Sequence, residues 1–267
     1  MKFCLKENNK QWGFTMKNVL LVLPFIFFFA CSDDTDSSNN SGTFIDTRDG
    51  KTYMYVQIGK QVWFAENLNY NASGSKCYGE NGQTLVGENE YAMLSDEEVQ
   101  ANCAKYGRLY DWSTAMDFLP NCNSNTCTDQ IQQPNHQGIC PSGWHIPKNA
   151  DWDKLLLYVD NENGYDESEE SFYQSLTAGK YLKSATGWND YQGKSGNGTD
   201  NYNFSALPGG TGNRYGHFGN AGFYGYWWSA SEDDNYAIRR RMSYNGEYIS
   251  GAHYDKSELI SVRCVKD

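Results

Sequence analysis

Six cysteines constrain this chain more than any other feature. It carries eight in all, but Cys4 lies ahead of the apolar run Val19 to Ala30, and Cys31 directly follows that run. An apolar core of twelve residues behind Lys17 is too short to span a bilayer and has the proportions of a signal peptide. An exported chain meets oxidising conditions, where the even set Cys77, Cys103, Cys122, Cys127, Cys140 and Cys264 is expected to close into bridges. Six thiols permit about fifteen pairings, and the residues alone leave the choice open. Zinc is a poor alternative, because no Cys-x-x-Cys occurs and the four histidines are scattered.

The junction Ala30-Cys31-Ser32-Asp33-Asp34 is similar to a bacterial lipoprotein signal, in which cleavage precedes a cysteine that then takes lipid. The expected organisation is a signal peptide over 1–30, with Met16 the better-proportioned start, then lipidated Cys31 and a flexible tether to residue 42. One domain follows over 43–267. Two plainer readings compete: a cleaved secretory signal with Cys31 incidental, or an uncleaved anchor. Ser32 to Gly42 holds no apolar residue and cannot collapse onto a core. Its acidic cluster is either a solvated spacer or a surface-export signal of the kind found in Bacteroidetes lipoproteins. The lipoprotein signal leads to the expectation of an outer-membrane location, on the cell surface or the periplasmic face. A net charge of −11 argues against nucleic acid, whose affinity comes from Lys and Arg meeting phosphates, and against docking on anionic lipid. The lipid anchor is then the expected contact with the membrane.

From Thr43 the pattern is β: Phe44-Ile45, a turn at Asp49-Gly50, alternation from Tyr53 to Ile58, and a turn at Gly59-Lys60 into Gln61 to Ala65. Helical character is weak around Ser95 to Ala101, and Ser113 or Thr114 is expected to cap a short helix before Pro120. Asn149 is expected to cap the main helix, with Asp151 and Asp153 in its first turn, and Trp152, Leu155, Leu156 and Val159 form one apolar stripe. An acidic insertion, 161–170, and a second helix with Phe172, Leu176 and Leu182 on its apolar side come next. Asn189 to Gly225 is a Gly-, Asn- and Tyr-rich loop too long for an ordinary connector. Strands return at Tyr226 to Ser231, Ala237 to Tyr244, Glu247 to Ser250 and Leu259 to Val265. Alternation predicts that Arg240 enters the packed side of its strand to meet a carboxylate, unless the three arginines line a solvated edge.

Cys140-Pro-Ser-Gly-Trp-His-Ile-Pro147 before that helix, Tyr226-Trp-Trp-Ser-Ala-Ser231 downstream and Ser261-Val-Arg-Cys-Val265 at the end resemble the Fibrobacter succinogenes major paralogous domain. That family has no established activity. The resemblance, together with locality, implies the pairs Cys77–Cys103, Cys122–Cys127 and Cys140–Cys264. The order of elements also resembles the C-type lectin-like fold, in the branch of the formylglycine-generating enzymes, with Ile146-Pro147 to Trp152, Arg239 to Met242 and Val262-Arg263-Cys264 as counterparts. The expected class is therefore α+β: a disulfide-stapled C-type lectin-like fold with small antiparallel sheets, two main helices and long Gly/aromatic-rich loops. Fold analogy does not fix function.

Catalytic signatures are missing: no Gly-x-Ser-x-Gly, His-Glu-x-x-His, phosphate loop or dinucleotide glycine pattern occurs. With every domain cysteine paired, the oxidase chemistry of the formylglycine-generating relatives is unsupported. The 33 carboxylates make any chosen acid/base pair arbitrary. Trp188-Asn189-Asp190 and Gln133-Pro134-Asn135 are similar to the calcium triplets of sugar-binding lectins, but they lie far apart and no cysteine follows the first. Turn chemistry explains them as well, so no metal or cofactor is expected and calcium is kept as a test. His145 reads as a structural histidine beside buried Trp144.

The aromatic residues of the late loops are the better lead. Trp188, Tyr191, Tyr202, Tyr215, Tyr224 and Trp228 are the ligand-binding candidates, among companions such as Phe223 and Tyr244 that suit stacking on sugar rings or an extended protein contact. Against this stands core packing, which is the commoner use of tryptophan. The expected function is a non-catalytic binding or adhesion domain of an envelope lipoprotein, for a carbohydrate polymer or a partner protein. A glycan-active enzyme and an assembly component without small-molecule ligand are the alternatives.

Overall fold

A computed structural model describes residues 41–162 and 174–267. The leader, Cys31, the tether up to residue 40, residues 163–170 of the acidic insertion and Phe172 lie outside the described residues.

The described chain is α+β, with small sheets, few helices and three disulfides. The first sheet runs in the order β1 (Ser41–Ile45), β2 (Thr52–Ile58), β3 (Gln61–Phe64), β14 (Val265–Lys266) and β7 (Trp144–His145). Its first three strands are the antiparallel set read from the sequence, turning at Gly50 and Gly59. β1 begins two residues inside the stretch read as tether. Ladder pairing needs only backbone N–H and C=O groups, so Ser41 opposite Val56 and Gly42 opposite Tyr55 join it without any apolar side chain. The second sheet is ordered β12 (Ile249–Asp255), β11 (Tyr236–Ser243), β10 (Tyr224–Asp233), β13 (Ile260–Ser261) and β6 (Leu109–Tyr110).

Two cores form because successive strand residues point to opposite faces. Trp63 and Phe64 on β3, like Trp227 and Trp228 on β10, send one ring into each core. The first core gathers Tyr53, Phe64, Tyr110, Trp112, Trp144 and Trp228, with Phe64 and Trp144 4.3 Å apart. The second gathers Trp63, Trp152, Trp188, Phe204 and Trp227 against helix α3 (Asn149–Glu162). The stripe of α3 is buried as read: Trp152, Leu155, Leu156 and Val159 are all inaccessible. Arg240 enters the packed side and meets Asp153 of α3 at 2.7 Å.

The disulfides are Cys77–Cys103, Cys122–Cys127 and Cys140–Cys264. The last joins the turn before β7 to the segment leading into β14. A second buried charge pair, Glu232 with Lys256, anchors the small disulfide loop, because Glu232 also accepts from the Cys127 N–H at 2.9 Å.

Elsewhere the structure departs from the sequence reading. Helix α1 (Asp96–Tyr106) runs five residues beyond the expected Ala101, started by a capping box of Ser95 and Glu98. Asp111, not Ser113 or Thr114, caps α2 (Trp112–Ala115), accepting from the Thr114 N–H at 2.7 Å. The second helix is short, α4 (Ala178–Leu182). Buried Ser175 donates to Asp160 and accepts from the Ala178 N–H, which fixes the entry and leaves Leu176 exposed instead of packed. The long loop hides strands: β8 (Gly209–Gly212) and β9 (His217–Ala221) join β4 (Gln83–Leu85) and β5 (Tyr91–Met93) in a third sheet ordered β5-β4-β9-β8, in which β4 and β9 run parallel. At Gly212 a Cβ would lie 2.6 Å from the Phe218 ring, so this pairing requires glycine.

Candidate functional site

Three segments of the Gly- and Tyr-rich region converge on Tyr244, at the end of β11. Its N–H donates to the Phe223 carbonyl at 2.8 Å, which fixes it beside the β9–β10 turn. That turn needs Gly222: its φ is +83° and a Cβ would come 2.8 Å from the Asn189 side chain. The Asn189 N–H in turn donates to the Gly222 carbonyl, docking the 188–194 loop, where Tyr191 and Lys194 close a tight turn.

The result is a cluster of rings. Tyr244 lies 5.5 Å from Tyr191, 5.0 Å from Phe223 and 6.2 Å from Tyr224, each edge to face. A cavity of about 580 Å³ opens on one side, lined by Phe223, Tyr224 and Tyr244 with Leu85, Val86, Glu88 and Asn220. A smaller one of about 200 Å³ opens on the other, lined by Tyr191, Tyr244, Lys194, Asn197 and Glu247. The larger has the size of a ligand-holding cleft and mixes ring faces with a few polar groups.

Lys183 supports the smaller cavity from below. Its buried ammonium donates to the carbonyls of Gly196, Ser243 and Gly246 at 2.6, 3.1 and 3.0 Å, tying the loop to the end of β11. Burial pushes it down to about 8, with Glu247 acting the other way.

The six aromatic candidates separate sharply. Tyr191 and Tyr224 meet at the Tyr244 cluster. Tyr215 is exposed at a different cavity of about 570 Å³, with Lys76, Glu80, Asp111 and Asn213, where its hydroxyl accepts from Arg214 at 2.8 Å. Tyr202 is half-buried and packs edge-on against Tyr158 at 6.2 Å. Trp188 and Trp228 are corrections: they are 4% and 0% exposed and present no face to a ligand. Their indole N–H groups donate to the carbonyls of Ala206 and Tyr110 at 3.0 and 2.7 Å, so they are satisfied core residues. Both faces of β10 are covered at Trp227 and Trp228, which is why neither ring reaches solvent. Phe223 and Tyr244 belonged to the wider aromatic set, whereas Leu85, Val86 and Asn220 carried no signal before β4 and β9 were seen to pair.

The lectin-like triplets do not meet. Gln133, Pro134 and Asn135 line a cavity of about 220 Å³ with His136, His145 and Lys148, while Asn189 packs at Gly222. Among the described residues, no group of three or more His, Cys, Asp or Glu side chains is placed to hold a metal. His145 is buried between two carboxylates, with Nδ1 2.7 Å from Asp267 and Nε2 3.5 Å from Asp151. Burial pushes the Asp151 carboxyl up, but the interaction with His145 and the Lys148 N–H outweigh this and hold it below the ordinary range.

The family model described as Fibrobacter succinogenes major domain matches residues 56–266. The chain belongs to that family. No curated protein and no solved structure matches it.

Proposed function

We propose that this member of the Fibrobacter succinogenes major domain family is a non-catalytic binding domain of the cell envelope, whose Tyr244-centred surface takes a carbohydrate polymer. The carrying observation is the convergence of Tyr191, Phe223, Tyr224 and Tyr244 from three segments beside a cavity of about 580 Å³. Ring faces cover the C–H faces of sugars, while Asn220 and Glu88 offer partners to hydroxyl groups. Lipidation at Cys31 and an outer-membrane location complete the proposal and rest on the leader sequence. A C-type lectin-like fold is part of the same reading, supported by β14 pairing with β3 of the amino-terminal hairpin and by the Cys140–Cys264 bridge.

The test is titration of the full chain, in detergent, against neutral and acidic cell-wall polysaccharides with and without calcium. Binding independent of calcium, weakened about tenfold or more by Tyr244→Ala at unchanged melting temperature, is the expected result. Calcium-dependent binding would return weight to Trp188-Asn189-Asp190, and release of reducing sugar would favour a glycan-active enzyme. Flat isotherms throughout would sink the carbohydrate reading. A protein partner is the second reading, favoured by exposed Val86, Tyr91 and Met93 around the β4–β5 hairpin. Stable co-purification with one envelope protein would support it.

A further inference from the structure

Next to the Tyr244 cluster, one face of the second sheet carries tyrosines and arginines in alternation. Pairing register sets Tyr226 opposite Arg241 and Trp228 opposite Arg239, and on the far side Arg241 opposite Ser250 and Arg239 opposite Ala252. The Arg239 guanidinium sits between the rings of Tyr226 and Tyr254 at 4.8 and 4.4 Å. That of Arg241 lies 5.5 Å from the Tyr224 ring and 5.8 Å from Tyr248. Tyr224 is shared between this ladder and the 580 Å³ cavity, and it stacks on Tyr226 at 5.7 Å.

The charges on this face have no counter-charge among the described residues. Among the described residues neither Arg239 nor Arg241 has an acidic partner, whereas Arg240 between them pairs with Asp153 on the opposite face. Arg239 Nε and Nη1 and Arg241 Nε are buried without an acceptor. Donors left without an acceptor are costly, and two like charges two residues apart on one strand face repel. The chain carries 33 acidic side chains against 22 basic, yet none among the described residues pairs with Arg239 or Arg241. A guanidinium is a planar fork matched to a carboxylate, and the flanking rings suit the sugar that carries it.

We propose that the polymer is anionic, a polysaccharide of uronic acids whose carboxylates engage Arg239 and Arg241 while its rings lie on Tyr224 and the Tyr244 cluster. The inference rests on the carbohydrate-binding reading above and names its ligand class.

The experiment titrates the full chain with polygalacturonate, with its fully methyl-esterified form, and with dextran sulfate. The acid form should bind about tenfold or more tighter than the ester, a gap that narrows at high salt as charges are screened. Arg241→Gln should remove most of that preference, weakening the acid form more than the ester. Should that variant fail to fold, the contrast between acid and ester on the unaltered chain still decides. Equal binding of acid and ester overturns this inference but leaves carbohydrate binding standing. Dextran sulfate binding as tightly as polygalacturonate overturns carboxylate recognition in favour of bulk charge attraction. No binding of any of these or of a neutral polymer overturns both readings.

Discussion

The two faces of β10 and β11 use similar residues to opposite ends. Against α3, Trp227 donates to Asn67 at 2.8 Å, Arg240 meets Asp153, and Met242 is inaccessible. On the other face, Tyr224, Arg239 and Arg241 remain partly exposed, with ring faces for neighbours and no carboxylate among the described residues. The difference is closure: Asp153 of α3 delivers a counter-charge to one arginine of a consecutive three. A charge whose partner the fold supplies belongs to the architecture. A charge left without one is available to something else.

The largest effect that would sharpen this comparison lies in the crosslink of the first core, on the side of Tyr226 and Trp228. Cys140→Ser should lower stability by about 5 kcal/mol in the chain-entropy account of a bridge spanning 124 residues. Normal melting of that variant would show the bridge to be dispensable. Next comes Asp153→Ala, which takes the carboxylate from the fully buried Arg240 and should cost about 3–5 kcal/mol in chemical denaturation. Burial outweighs pairing for both partners, since Asp153 sits above its ordinary value and Arg240 below. Replacing the pair with apolar residues of similar size should therefore recover much of the loss. Arg241→Gln is the counterpart on the open face and should move stability by less than about 1 kcal/mol. Equal losses at Arg240 and Arg241 would break the comparison.

The smallest expected effect is on acid stability. Burial raises the Asp151 pKa, but His145 and the Lys148 N–H together hold it below its ordinary 3.8. Above 3.8 the carboxylate is ionised in folded and unfolded chains alike, and its contribution to stability is full. As pH falls below 3.8 the unfolded chain takes up the proton first, so stability declines until the depressed folded value is passed. A melting series in Asp151→Asn should show a shallower acid limb, and an unchanged limb would locate the loss elsewhere.

Much of this was legible in the sequence wherever one local signal agreed with its tertiary use. The α3 stripe, the amino-terminal hairpin and the inward turn of Arg240 all follow from period 3.6 or period 2 acting on strongly apolar or charged residues. The third sheet was not legible, because Gly-Gly-Thr-Gly and His-Phe-Gly-Asn-Ala have no alternation to read; their glycines serve close backbone approach. Of the site, Tyr191 and Tyr224 could be named from aromatic residues in a glycine-rich stretch. Trp188 and Trp228 share that context, and what separates them is a carbonyl within reach of each indole N–H, which only the folded chain supplies. The open-face arginines did leave a trace, since Tyr224 and Tyr226 alternate in step with Arg239 and Arg241. Its meaning depended on knowing that Asp153 serves Arg240 alone.

The Cys140–Cys264 bridge also decides how the domain behaves under tension. A pull entering at β1 and leaving at Asp267 passes through the covalent link, which bypasses the 124-residue loop it closes. At roughly 3.5 Å per extended residue, about 430 Å of chain is withheld from stretching. Helix α3, strands β10 and β11 and the ring cluster at Tyr244 all lie within that loop. A domain loaded through its ends can thus lose its amino-terminal strands while Tyr191, Phe223, Tyr224 and Tyr244 carry no force along their own backbone.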